Sequence, residues 1–166
     1  MYKPNLDRYP EQLAHQFAKR EMSSESFKLD FAKFEREFIA GKKALGLSGK
    51  LSENDLKRVR NHLRLEYKFV AGVLNQNTKN AINSNVATVW LSDDTLMKQF
   101  QSREDQNFTS DEYQKLPDIL NAPTETKIGK KANHFELYKV INGKRYLVVI
   151  KVLANEIFVQ SFRRTN

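Results

Sequence analysis

The sequence predicts an α+β protein: a helical N-terminal layer packed on a C-terminal antiparallel β-meander of three to four strands. Two observations carry that expectation. Apolar residues recur at three- and four-residue spacing from residue 5 to residue 80, and the last forty residues hold three β-patterned runs, the first two separated by Asn142-Gly143. At 166 residues the chain is one domain or slightly more, divided by this pattern into a helical region over 1–80 and an α+β domain over 81–166.

Taken in order, Leu13 and Phe17 open the first helical stripe, and Phe27, Phe31, Phe34 and Phe38 form the second. Ser23-Ser24-Glu25-Ser26 offers N-cap chemistry before that second helix, and Gly41 with Gly46-Leu47-Ser48-Gly49 is expected to close it. Ser52-Glu53-Asn54-Asp55 opens a third helix expected to run through Leu56, Val59, Leu63, Tyr67, Val70 and Leu74. Lys57, Arg58, Arg60, Arg64 and Lys68 decorate it, as a solvated face or as a nucleic-acid contact. Asn75 to Asn85 reads as a linker. Val86 to Leu91 reads as a strand, apart from the meander or joined to its edge, and Ser92-Asp93-Asp94 and Ser110-Asp111-Glu112 cap short helices.

Composition narrows the chemistry. There is no cysteine, hence no disulfide, thiol nucleophile or Cys-based metal centre, and His15, His62 and His134 are too few for a His-rich one. No metal and no cofactor is expected. The longest apolar run, Tyr146 to Ile150, is far short of the roughly 20 residues that span a bilayer, and the N-terminus lacks a signal-peptide pattern, so a soluble protein without a membrane partner is expected. The net charge of +8 is regional: 16 basic against 10 acidic residues over 1–91, 3 against 8 over 92–126, and 9 against 2 over 127–166. The acidic segment consists mostly of helix first turns, where carboxylates favour the macrodipole. The basic segments suit a polyanion, or form a lysine-rich solvated surface.

A two-residue Asn-Gly loop fixes the hairpin register. It sets Val140 opposite Arg145, Tyr138 opposite Leu147, Glu136 opposite Val149 and His134 opposite Lys151, all on one face. The other face carries Phe135, Leu137, Ile141, Tyr146, Val148, Ile150 and Val152, and should pack on helices. Cleaving a phosphodiester through its 2′-hydroxyl needs a proton acceptor, a donor for the leaving oxygen, and cations for the phosphorane. Histidine is the residue type suited to the proton transfers, and Lys151, Arg145, Arg163 and Arg164 supply charge. Tyr138 and Phe158 could stack bases. Residue types alone leave open a hairpin whose solvent face is merely polar. They also leave open a noncatalytic nucleic-acid-binding or phage-structural module using the same basic face, or a protein-interaction domain. A second two-residue turn at Ala154-Asn155 would put Gln160, Phe162 and Arg164 on the His134 face; a bulge would put Ser161 and Arg163 there instead.

Val89-Trp90-Leu91-Ser92, then Tyr113 to Leu120, then His134 to Tyr146 follow an order that resembles the phage-encoded branch of the barnase, EndoU, colicin and RelE-like nuclease superfamily. Members occur at the C-termini of Mu F-like phage head proteins and in polymorphic toxins. The resemblance covers about residues 86 to 164 and implies a metal-independent, toxin-like endoribonuclease over 81–166. It puts weight on His134, Lys151 and Ser161 as catalytic residues, and on Arg145 and Arg163; Glu136, Tyr138, Gln160 and Arg164 complete the candidate substrate-binding set. RNA is the implied partner, with an acidic immunity protein and phage head proteins as further ones. The implied place of action is the cytoplasm of a bacterial cell, reached from a phage particle or by secretion as part of a toxin.

Overall fold

A computed structural model of the chain describes residues 5–63, 66–103 and 106–165. A 3-10 turn at Leu6–Arg8 precedes helices α1 (Glu11–Met22), α2 (Glu25–Ala44) and α3 (Glu53–Leu63). Strand β1 (Lys68–Val73), helix α4 (Gln76–Ala81) and strand β2 (Thr88–Ser92) follow, then α5 (Asp93–Ser102), α6 (Ser110–Tyr113) and α7 (Leu116–Asn121). The chain ends in β3 (Glu125–Ile128), β4 (His134–Ile141), β5 (Lys144–Val152) and β6 (Ile157–Thr165). The architecture is α+β, but the sheet is larger than a three- or four-stranded meander: six strands in the order β1-β2-β6-β5-β4-β3. All neighbours are antiparallel except β2 and β6, which run parallel.

Three caps lie where the sequence places them, but Ser110 is the first residue of α6, whose N-cap is Thr109 and makes no side-chain cap bond. Ser24 accepts from the Phe27 amide to start α2, Ser52 from the Asp55 amide at α3, and Ser92 from the Thr95 amide at α5. Gly41 does not end α2. It lies buried inside the helix, where an added Cβ would meet Leu63 Cδ2 at 3.1 Å and Val59 Cγ1 at 3.3 Å, so it serves the close approach of α3. The third helix is described over Glu53–Leu63, and the continuation expected through Val70 and Leu74 is instead β1 over Lys68–Val73, so the region to residue 80 is not wholly helical. Every residue of β1 after Lys68 is buried, and a short run buried on both faces carries no period to tell strand from helix. Asn75 to Asn85 is not simply a linker, since Asn75 caps α4. The strand at 88–92 is interior, between β1 and β6, and not an edge. Of the basic residues on the third helix, Arg64 lies outside the described residues.

One face of the sheet packs on α2, α3, α5 and α7 in a single core that joins Phe27, Phe31 and Phe34 to Leu137, Tyr146, Val148, Ile150 and Phe162. On the other face α1 and the 3-10 turn cover only the β1–β2 end, with Leu6, Ala14 and Ala18 against Val70, Val73 and Trp90. The β3–β6 end of that face carries no helix from this core.

Strand β6 pairs with β2 at Ile157 and Phe158 and then, among the described residues, runs on without a strand neighbour on that side. Its buried backbone groups still need partners. Gln99 supplies them as a strand would: its Oε1 accepts from the Phe162 amide at 3.1 Å and its Nε2 donates to the Phe162 carbonyl at 2.7 Å. Gln106 repeats the device on Arg164, at 3.1 and 3.3 Å. Replacing Gln99 with leucine leaves the Phe162 amide buried without an acceptor. Urea unfolding should show a loss of about 2 kcal/mol, larger than for leucine at the half-buried Gln114, whose side chain bonds that of Asp111.

Candidate active site

The β4–β5 register is the one the Asn-Gly turn predicts, from Ile141 opposite Lys144 to His134 opposite Lys151. Asn142 and Gly143 take φ of 51° and 77°, the two positive values of a type I′ turn. The Val152 amide donates to the Asn133 carbonyl, which makes His134–Lys151, Glu136–Val149, Tyr138–Leu147 and Val140–Arg145 the non-hydrogen-bonded pairs. In such pairs the side chains stand closest.

On β6 the two-residue turn and the bulge coexist. Lys151 still faces Phe158, but the pairing slips between Val149 and Ile150, so that Ile150 faces Val159, Val149 faces Ser161 and Gln160 is the extra residue. The slip turns Ser161 and Arg163 onto the His134 face and sends Phe162 and Arg164 to the helix side.

A pocket of about 280 Å³ opens there, near the lower end of the ~300–1,000 Å³ usual for ligand sites. Leu147 and Val149 floor it, His134, Glu136, Gln160 and Ser161 wall it, and Lys130, Lys131 and Arg163 bring cations to it. His134 is buried, 9% exposed, and its Nδ1 lies 2.8 Å from the Ala132 carbonyl. A carbonyl only accepts, so Nδ1 carries the proton and, in the neutral ring, Nε2 keeps its lone pair. The loop holding it is tight: the Gly129 amide donates to the His134 carbonyl at 2.8 Å and the His134 amide to the Lys131 carbonyl at 3.2 Å.

The other candidates divide. Tyr138 and Arg145 sit on the same face beside the pocket. The Arg145 guanidinium lies 4.1 Å from the Tyr138 ring centroid and 3.1 Å from Glu125, and the Tyr138 hydroxyl donates to Glu136 at 2.9 Å. Burial and the Glu136 carboxylate push the Tyr138 hydroxyl above its ordinary value, so it stays protonated near neutrality. Lys151 faces His134 across the strands but is not among the pocket-lining residues. Phe158 continues the same row toward Trp90, with the Lys68 ammonium 4.3 Å from the Trp90 ring centroid and 5.6 Å from that of Phe158. Arg164 is apart from all of these, on the helix side, paired with Glu112 at 3.0 Å and bonded to the Gln106 carbonyl. Burial alone would raise the Glu112 carboxyl; the Tyr146 hydroxyl, Lys115 and Arg164 outweigh it and hold the group below its usual range. Tyr146 is pushed to about 12 by burial and by Glu112.

Gly129, Lys130 and Lys131 were not singled out from the sequence, although the Lys-Lys pair two residues before Asn133 was a visible signal. Arg103, beyond the end of α5, donates to Ser161 Oγ at 2.9 Å and carried no sequence signal at all. Among the described residues no group of three or more His, Cys, Asp or Glu side chains gathers that could hold a metal ion, and Glu136 is the one acid lining the pocket.

The family model described as phage-Barnase-EndoU-ColicinE5/D-RelE like nuclease3 matches residues 68–166, from β1 to the C-terminus. The chain belongs to that family. No solved structure matches it. The span matched by this nuclease family holds every strand of the sheet and the whole pocket, while α1, α2 and α3 precede it. Family membership makes nucleic-acid cleavage the activity to which the pocket is to be fitted.

An added Cβ on Gly129 would stand 2.9 Å from the His134 carbonyl oxygen and 3.0 Å from its Cβ. Gly129→Ala should therefore displace the loop at a cost of about 1–3 kcal/mol. The His134 imidazole resonances in an NMR spectrum should shift, while those of His15 and His62 stay in place.

Proposed function

We propose that the chain is a metal-independent endoribonuclease that cleaves by attack of the 2′-hydroxyl on the adjacent phosphorus. The observation that carries the reading is His134: one ring nitrogen tied to the Ala132 carbonyl, the ring lining a pocket with cationic side chains. Nε2 accepts the 2′-hydroxyl proton as the 2′-oxygen bonds to phosphorus. The P–O5′ bond breaks, leaving a 2′,3′-cyclic phosphate on one fragment. A proton delivered to the departing 5′-oxygen by one of the pocket's ammonium groups or by water makes the 5′-hydroxyl of the other. Lys130, Lys131, Arg163 and the Ser161 hydroxyl are placed to share the charge of the phosphorane, and Lys151, next to His134, adds positive potential. This route uses acid-base groups and cations alone, which is what the pocket offers, since a single carboxylate is a poor site for two metal ions.

In this reading RNA runs along the open half of the sheet, past Arg145 and Tyr138 on one side and Phe158 on the other. A toxin-like role in a bacterial cell fits the family, as does an immunity protein whose acidic face meets the basic one. Delivery from a phage particle or within a secreted toxin, and association with phage head proteins, belong to the same proposal.

With excess EDTA the protein should cut total RNA and leave 2′,3′-cyclic ends. His134→Ala should lower the rate by about 10²- to 10⁴-fold with the fold retained. Wild-type cleavage by that variant, or cleavage only on adding Mg²⁺, counts against the mechanism; intact RNA under all conditions favours a noncatalytic binding module. For binding, Arg145→Glu should weaken affinity for an uncleavable oligonucleotide at least about tenfold. The same change at Lys33, exposed on α2, should do far less, and equal losses would mean that net charge alone drives association.

A further inference from the structure

We infer that Arg103 is a positioning residue of the pocket, acting through Ser161 to fix that hydroxyl as a hydrogen-bond donor toward a bound phosphate oxygen. The nature of the ligand rests on the nuclease reading; the arrangement of the two side chains does not.

Arg103 follows α5 directly and approaches β6 from the side that has no strand neighbour. Its guanidinium is pinned by contacts that include Nε donating to the Phe162 carbonyl at 2.7 Å, Nη1 to the Ser102 carbonyl at 2.9 Å and Nη2 to Ser161 Oγ at 2.9 Å. Two of these fall on consecutive residues of β6 immediately after the bulge. The planar fork thus grips the strand where Gln160 has turned Ser161 onto the pocket face.

Donor and acceptor bookkeeping then settles the direction of the Ser161 hydroxyl. A guanidinium has donors and no acceptor, so Ser161 Oγ must accept from it. The hydroxyl proton therefore points elsewhere, and among the described residues no side chain or backbone group takes it. Ser161 lines the pocket beside His134, so that proton is available to an anionic oxygen bound there. Accepting from a cation also polarises the hydroxyl and strengthens it as a donor. Lysine could not substitute: an ammonium is a point donor without the fixed fork that reaches a side-chain oxygen and the next carbonyl together.

The test is a double-mutant cycle on wild type, Arg103→Lys, Ser161→Ala and the double variant. It is read as kcat and KM on RNA in EDTA, as affinity for a 2′-deoxy oligonucleotide of the same sequence, and as melting temperature. Ser161→Ala and Arg103→Lys should each lower kcat on the order of 10²-fold, as loss of one preorganised donor does. The double variant should fall no further than Ser161→Ala. A purely structural role would lower the melting temperature yet leave the effect of Arg103→Lys on kcat the same with serine or alanine at position 161. That additivity, or wild-type kcat and affinity for Arg103→Lys, overturns the inference. If the lysine variant does not fold, Arg103→Gln, whose amide can still donate to the Phe162 carbonyl, completes the cycle in its place. Wild-type protein that leaves RNA intact would refute the nuclease reading, and the cycle is then read from oligonucleotide affinity: coupling supports the inference and additivity overturns it. Failure of wild type to bind the oligonucleotide at all overturns both.

Discussion

The backbone of β6 governs this fold. It enters the sheet beside β2 and, after two paired residues, loses that neighbour while still passing through the interior. Buried amides and carbonyls left without partners would cost more than a fold of this size can lose, so the connection after β2 has to return along the exposed edge. Helix α5 and the residues after it do so, presenting Gln99, Arg103 and Gln106 to Phe162 and Arg164 as side-chain surrogates for a strand. That solution places side chains along the edge instead of a seventh strand, and it lets a guanidinium reach around to the pocket face.

The bulge at Gln160 is the second consequence. A bulge changes which side chains face which way without changing the chain's direction, so residues on either side of it follow opposite parity. Before it, Phe158 lies in the His134–Lys151 row; after it, Ser161 and Arg163 do, and Arg164 turns inward to Glu112. Without the slip, Phe162 would leave the core and Ser161 would leave the pocket together. The ring contacts of Phe162 with Phe108, Tyr113 and Tyr146 therefore bear on the position of Ser161 as much as any polar contact does.

How far the sequence foretells this depends on how local each determinant is. The β4–β5 hairpin is legible to the residue because Asn142-Gly143 sets turn type and register within two positions. The caps at Ser24, Ser52 and Ser92 are legible for the same reason. Strand β1 is not, because Phe69 to Val73 is apolar throughout and its strand character comes from β2 across the sheet. Strand β3 is not, because Glu125 to Ile128 is wholly exposed and shows no alternation. In the site, His134, Glu136, Tyr138 and Arg145 follow from the hairpin. Ser161 against Gln160 rests on a bulge that long-range packing imposes, and Arg103 meets Ser161 across 58 positions of chain. No pattern within a few residues could announce that contact.

The regional charge acquires a spatial meaning through the sheet. The acidic segment over 92–126 forms α5, α6 and α7, which pack behind the sheet, and its carboxylates are drawn to local partners: Asp93 to Arg60 and the Tyr67 amide, Asp118 to His15 and Lys19, Glu112 to Arg164 and Tyr146. Glu125, at the end of the same segment, is the exception: it lies beside Tyr138 on the pocket face and pairs with Arg145. The basic segment over 127–166 contributes the strands themselves and, by alternation and one bulge, sends Lys130, Lys131, Lys151 and Arg163 to the open face. Much of the positive charge of the last segment thus gathers on the part of the sheet face that α1 leaves uncovered beyond Trp90, although Arg164 turns to the helix side. In the proposed ribonuclease reading, this is the face that the polyanionic substrate meets, and His134 lies on it.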